Sequence, residues 1–503
     1  MKKISFLMAA LLVAMTGCQK EPQQTVDAEG GNVYMSFSVQ AVTKSQTDET
    51  GESNSNANPE IEVGKDVENK ISNIQVFLQA ADQSIKASDV NLVGGGVNYT
   101  ATFKEEAIAT GKEYSIYVIC NDGIGDAALN AKTQVKAISG NDGRELNISN
   151  DNYFLMTNAK VALKKTITES ELKSCMTPAT PLNLGTIEVE RTVARFDYAQ
   201  TKENHLYEIA DNDVQIELSE AAVINVSNAS YYFRRVAADE TGNNYVVGGV
   251  EGPTNYVVDT DWDVKNSLYG TWAKDGAADL FTYPLEDKAS WKWIDLKSLN
   301  EADNVGAINA KDYNFLAYVS ENTLPGIAKQ INGLSTGVVF KGYLTLNGER
   351  KKNFTELLYV YANKYYGNWY AVQQAATPGT DPALTAAYEA VKADPTDLAA
   401  CANAGFTVLK PDVKGYYPLY YYYWNRHNDN LLPNEMGLME YAVVRNNVYK
   451  LAVTKISQFG HPEDPAGDPD PVTPTTPDEQ QRHYFQVSVK VLPWTVRVND
   501  IEF

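Results

Sequence analysis

The sequence predicts an all-β chain built from antiparallel sandwiches. Three observations carry this: apolar and polar residues alternate in short runs, turn residues separate the runs, and only one stretch reads as helix. At 503 residues the chain exceeds one ordinary core, so more than one domain is expected.

Composition fits a folded protein, with 44% apolar and 21% charged residues, and 31 tyrosines lift the aromatic share to 11%. The net charge of −21 and the absence of any basic run argue against a nucleic-acid partner, because phosphate binding needs clustered Lys and Arg. An acidic surface is the plain consequence.

The first eighteen residues stand apart from the fold. Met1-Lys2-Lys3 is a charged start, and "ISFLMAALLVAMTG" is an apolar core too short to span a membrane as a helix. It ends in Gly17-Cys18. A small residue followed by cysteine resembles a bacterial lipobox, with Cys18 as the residue acylated after cleavage; a plain secretory signal with an incidental cysteine is the alternative. Three cysteines remain, Cys120, Cys175 and Cys401, an odd number that excludes a complete disulfide framework. Neither their spacing nor that of His205, His427, His461 and His483 matches a metal site, so the cysteines are read as structural.

The first strand is "NVYMSFSVQAV", in which Val33, Met35, Phe37, Val39 and Ala41 face one way and Tyr34, Ser36, Ser38 and Gln40 the other. A polar segment follows from Thr43 to Glu60. Further strands are expected in "ISNIQVFLQA", "YTATF", "EYSIYVIC" and "YFLMT". "LGTIEVERTVARFDYA", Leu184 to Ala199, is long enough to bridge two domains. Beyond it, "DVQIELSEAAVINV", "YNFLAYVS", "TGVVFKGYLTLNG" and "ELLYVYANKYYGNWYAV" read as β. Asp381 to Gly405, rich in Ala and with Pro382 in its first turn, reads as a helical insertion. After "NNVYKLAVTKISQFG", a Pro/Asp linker leads to "YFQVSVKVLPWTVRVNDIEF". There Phe485, Val487, Val489 and Val491 share a face until Pro493, where a bulge or bend is expected. Trp494, Val496 and Val498 then carry the apolar stripe.

Chemistry-bearing motifs are weak. "VGGGVNYT" and "VVGGVEG" lack both the GxGxxG spacing and a P-loop lysine, and read as turns. "DTDWDVKNSLYG" alternates Asp259, Asp261 and Asp263 as a calcium loop does, but has Val264 where glycine is required and Gly270 where the bidentate Glu belongs, so it reads as a surface loop. The run "YYPLYYYYWNRHNDN", from Tyr416, carries aromatics on both faces of an extended chain. That suits a central strand covered on both sides better than a one-faced binding platform. His427 has no assignable nucleophile or third partner, and no pair of carboxylates is singled out.

This tyrosine run, "GLMEYAVVRNNVYKLAVTKISQFGHP", the acidic Pro linker and the closing "VSVKVLPWTV" together resemble the C-terminal region of Bacteroidales fimbrillins, most closely the Mfa-type (minor fimbrium) stalk subunits of type V pili. The lipobox, the early strand with a basic residue after it, and "VERTVARFDY" fit the same layout. The resemblance implies two transthyretin-like β-sandwich domains, the second holding the helical insertion. It also implies an outer-membrane lipoprotein precursor that is trimmed by a surface protease and joined head to tail by donor-strand exchange. The mature form would lie in a cell-surface fimbrium, with other anchor and tip subunits as partners, and would support adhesion and biofilm formation. No enzyme activity and no cofactor are implied. Family members are cut after an arginine following the first strand; none precedes Arg144 here, so Lys44 is the matching residue, with cleavage before Ser45, and Lys65 is the runner-up. The donor strand would present Trp494, Val496 and Val498. The expected organisation is a signal and lipobox at 1–18, a propeptide with the first strand at 19–44, sandwiches at 45–186 and 187–480, and a donor region at 481–503. A tip or accessory adhesin, or a surface glycan-binding lipoprotein, is the alternative function.

Overall fold

The alternating runs become strands, and one extended run is shared between two sheets. The computed structural model describes residues 31–41, 66–121 apart from 95, 132–134, 136–137, 146–147, 154–249, 252, 254–268, 278–299, 304–308, 311–428, 430, 432, 434–462 and 485–493. Within these the fold is all-β.

A nine-stranded sheet takes the first half of the chain. Its strands are β1 (Asn32–Ala41), β2 (Ile74–Gln79), β3 (Ser84–Lys86), β4 (Asp89–Leu92), β5 (Asn98–Lys104), β6 (Glu113–Cys120), β7 (Met156–Asn158), β8 (Leu163–Thr166) and β9 (Leu182–Arg191). The order is β3-β2-β6-β7-β9-β1-β5-β4, with β8 also paired to β6.

The run predicted as a bridge divides at Thr192. β9 belongs to the first sheet, and β10 (Val193–Ala199) lies in the middle of a second. That five-stranded sheet runs β12-β13-β10-β16-β17, with β12 (Asn304–Ile308), β13 (Lys311–Ser320), β16 (Asn447–Ile456) and β17 (Phe485–Pro493). All seven residues of β10 are buried, as expected of a strand flanked on both edges and covered on both faces. A six-stranded sheet is built around β11 (Gln215–Ile224), β14 (Gly337–Leu346) and β15 (Pro418–Trp424), with three shorter strands at its margins. Side chains from all three sheets share one continuous apolar core.

The helical insertion forms where the sequence places it, and is longer. Asp381 caps α5 (Pro382–Val391) by accepting from the Ala383 and Leu384 amides, and α6 (Leu398–Asn403) follows. α4 (Trp369–Ala375) overturns part of the β reading of "ELLYVYANKYYGNWYAV". The strand signal holds for Leu358–Tyr361 and Lys364–Tyr366, but the Asn368 side chain then accepts from the Ala371 amide and starts a helix. Trp369 stacks on Tyr388 of α5 at 5.3 Å, so its ring serves a small helical core of its own. The surface-loop reading of the calcium-like run is overturned: α3 (Trp262–Leu268) occupies it, with Asp259, Trp262 and Lys265 buried.

Candidate assembly site

The first strand is clamped on both edges. β1 pairs antiparallel with β5, from Asn32 opposite Lys104 to Ser38 opposite Asn98, and parallel with β9, from Met35 opposite Leu182 to Ala41 opposite Val189. Val33, Met35, Phe37 and Val39 are 0–3% exposed, matching the stripe read from sequence. The ladder with β9 slips between Ser36 and Ser38, where β9 carries an extra residue; Gly185 there has φ +96°, a conformation that costs glycine little and other residues much. Phe37 stacks on Tyr99 at 5.7 Å, and the Tyr34 amide donates to the Cys175 carbonyl at 2.8 Å. Withdrawal of β1 would therefore leave two unpaired strand edges and a row of apolar pockets.

Beyond β1, the chain is next described at α1 (Asp66–Asn69), and there it is pinned. Glu68 is fully buried. Its carboxylate accepts from Arg195 Nη1 at 2.8 and 2.9 Å and from the Tyr318 hydroxyl at 2.6 Å. Arg195 also forks onto Asp197, both contacts at 2.9 Å, and Lys450 Nζ donates to Asp197 at 2.9 Å. Arg191 Nε donates to the Glu68 carbonyl at 2.8 Å and its Nη1 to Asn446 Oδ1 at 3.1 Å. Burial pushes the Asp197 carboxyl up, but Arg195 and Lys450 outweigh it and hold the group below its ordinary range. Burial and then Glu68 push the Tyr318 hydroxyl up, so it stays a donor. Arg191, Arg195 and Asp197 of "VERTVARFDY" thus form a buried network joining α1 to β9, β10, β13 and β16, while Glu190 pairs with Arg234. Polar residues at inward positions of an apolar strand were its only sequence signal.

At the other end, β17 is an edge strand. Among the described residues it pairs with β16 alone, antiparallel, from Ile456 opposite Phe485 to Asn447 opposite Pro493, with an irregularity between Val453 and Lys455. Pro493, opposite Asn447, ends the described strand, so the bulge or bend expected there lies outside the described residues. Residues 485–493, part of the expected donor region, thus have a place in their own chain. Cys18, Lys44, Ser45, Lys65, Trp494, Val496 and Val498 lie outside the described residues, so the structure brings none of them together.

The tyrosine run is framework, but not a central strand. β15 lies outside β14, from Gly337 opposite Trp424 to Tyr343 opposite Pro418, and its other edge meets one bridge, Tyr420 to His461. Tyr417, Leu419 and Tyr421 are fully buried, while Tyr420 and Tyr422 are half-buried and face Trp293 and Trp291. Burial pushes the Tyr417 hydroxyl up to about 12. Gly460 passes so close that a Cβ there would sit 2.6 Å from the Tyr420 carbonyl oxygen. Buried His427 is braced: its Nδ1 lies 2.9 Å from the Tyr449 hydroxyl, which also accepts from the Val444 amide. Cys120, Cys175 and Cys401 are free and buried.

This C-terminal stretch is what comparison with known proteins recognises. Residues 416–500 match the family described as major fimbrial subunit protein type IV, fimbrillin, C-terminal. Over those residues the chain is similar to the C-terminal part of fimbrillins. No curated protein matches the chain. Among solved structures, a fimbrillin from Porphyromonas gingivalis W83 aligns at 18% identity over 93% of this chain and 98% of its own, with a TM-score of 0.39. A cell-adhesion protein from Parabacteroides distasonis aligns at 12% identity over 92% and 100%, with a TM-score of 0.39. The tip fimbrial protein Mfa3 from P. gingivalis aligns at 10% identity over 91% and 99%, with a TM-score of 0.33. Overlays this loose do not decide a role, so the fimbrillin assignment rests on the tyrosine run, β16 and β17.

Proposed function

We propose that this fimbrillin is a stalk subunit of a cell-surface fimbrium that polymerises by strand exchange after proteolysis and supports adhesion and biofilm formation. The observation that carries the reading is β1, an alternating strand clamped between β5 and β9 and followed by a polar segment. Exported as a lipoprotein acylated at Cys18, the precursor keeps β1 in place, and the sheet has no vacancy. A surface protease cutting between Lys44 and Ser45 frees β1 together with its lipid. Glu68, held by Arg195 and Tyr318, keeps the remaining chain anchored beside the vacated groove.

The groove then accepts a strand from another copy, by strand addition to two free edges. Refilling the four pockets of Val33, Met35, Phe37 and Val39, at about 1.5–3 kcal/mol each, yields a gross gain on the order of 10 kcal/mol, from which association and ordering costs are subtracted. The stretch bearing Trp494, Val496 and Val498 is the donor, with β17 as its root. Because β17 is an edge strand on the donor's own sheet, the donor leaves its fold intact.

Protein recovered from fimbriae should begin at Ser45, and Lys44→Ala should accumulate as a folded, lipidated monomer. An N-terminus at residue 19 in the assembled fibre contradicts the reading.

A further inference from the structure

A second buried lysine cluster has a different composition from the Asp197 network. Lys265 of α3, Asp259 and Asn322 are 1%, 3% and 0% exposed. Lys265 Nζ contacts Asp259 Oδ2 and lies 2.6 Å from Asn322 Oδ1 and 3.2 Å from the Thr323 carbonyl. Asp259 is itself fixed: Oδ2 accepts from the Thr323 amide at 2.7 Å and Oδ1 from the Asp261 amide at 3.0 Å. The Asn322 amide is held in one plane, because Nδ2 donates to Thr336 Oγ1 at 3.0 Å and to the Asn225 and Leu334 carbonyls at 3.2 Å. The Phe281 ring covers the amine at 5.9 Å.

We propose that Lys265 and Asn322 form an intramolecular amide bond, with Asp259 carrying the protons. An amine, a carboxamide and a carboxylate held in contact away from water are the three groups this reaction needs. Asn322 Cγ is one carbonyl bond, about 1.2 Å, from Oδ1, so Nζ is at most about 4 Å from the carbon it attacks, near the reactive range of about 3–3.5 Å. Asp259, in contact with the ammonium, takes one of its protons. The freed lone pair forms the Nζ–Cγ bond. A second Nζ proton passes through Asp259 to Nδ2, the Cγ–Nδ2 bond breaks, and ammonia leaves. No oxidant, cofactor or water is consumed.

The Asp197 network lacks this reactivity. There Lys450 faces a carboxylate that Arg195 grips with two hydrogen bonds and keeps ionised, which makes it a poor acceptor for an amine. The Lys265–Asn322 bond would join residues 57 positions apart and fasten α3 to the segment bridging Asn322 and Val443, just before β16. The described cysteines are free, so such an amide would give this exported chain a covalent tie that they do not provide.

Tryptic digestion of the denatured full-length protein, read by mass spectrometry, tests the proposal. The wild type should yield one branched peptide carrying both Lys265 and Asn322, lighter than its two parts by one ammonia beyond ordinary hydrolysis, with no cleavage after Lys265. Asp259→Asn, which retains both reacting residues, and Lys265→Met should yield linear peptides. Linear peptides cut after Lys265 from the folded wild type overturn the bond and leave an ordinary buried ion pair. A branched peptide persisting in Asp259→Asn overturns the role of Asp259.

Discussion

The first and last described strands are written in the same alternating code and occupy opposite situations. Among the described residues β1 has partners on both edges, β5 and β9, whereas β17 has one, β16. Alternation specifies which side chains share a face but is silent on how many neighbours a strand has. Under the proposed strand exchange the difference has a consequence. Extracting a clamped strand opens a groove with two free edges, whereas an edge strand can hold a donor tail while its own sheet persists.

The largest effect expected from this contrast separates two deletions. Removing residues 1–44 by proteolysis from a chain that also lacks 494–503 leaves an empty groove, and amide exchange should rise throughout the nine-stranded sheet. Removing 485–503 from the uncut precursor should raise exchange in β16 only. Equal and global loss of protection in both would erase the distinction between clamped and edge strands.

Next in size are single buried side chains. Phe37→Ala should cost the precursor about 3–5 kcal/mol in denaturant unfolding. In trimmed protein, which has lost β1, that substitution is absent, and stability should equal that of trimmed wild type. Arg195→Met strands Glu68 and Asp197 as buried charges and should cost about 3–5 kcal/mol in both forms, because the pin at α1 outlasts trimming. The pH dependence has a definite sign. With the Asp197 carboxyl held below its ordinary range, its stabilisation is present above about pH 4 and lost as pH falls further, so acid unfolding of Arg195→Met should begin at higher pH than in the wild type.

Effects of equal and then smaller size test the framework reading. Tyr421→Ala, at a fully buried ring, should cost about 3–5 kcal/mol, and half-buried Tyr420→Ala clearly less. Thr168→Ala breaks the capping box of α2 (Glu169–Ser174) and should cost only about 1 kcal/mol, with assembly unchanged.

Faces were more legible in the sequence than neighbours. The stripe Val33, Met35, Phe37, Val39 and the Asp381 cap with Pro382 could be read directly, because period and capping are local properties. The edge position of β15 was not, since aromatics on both faces arise equally from a flanked strand and from an outer strand covered by Trp291 and Trp293. α4 was hidden because Trp369 and Tyr370 favour strands by composition, and its Asn368 cap is one residue in an aromatic run. The Glu68 and Lys265 clusters unite residues far apart in sequence, which no local pattern records.

The central claim is that the vacated β1 groove is filled by another copy's tail. A cysteine at Thr100, which lies opposite Ser36 on β5, can be combined with single cysteines walked along 494–503, and the assembled protein oxidised. The account predicts covalent ladders rising in whole-subunit steps, strongest at one tail position and its alternate neighbours, and none in Lys44→Ala. Cross-links confined within single chains in assembled fibres would contradict it.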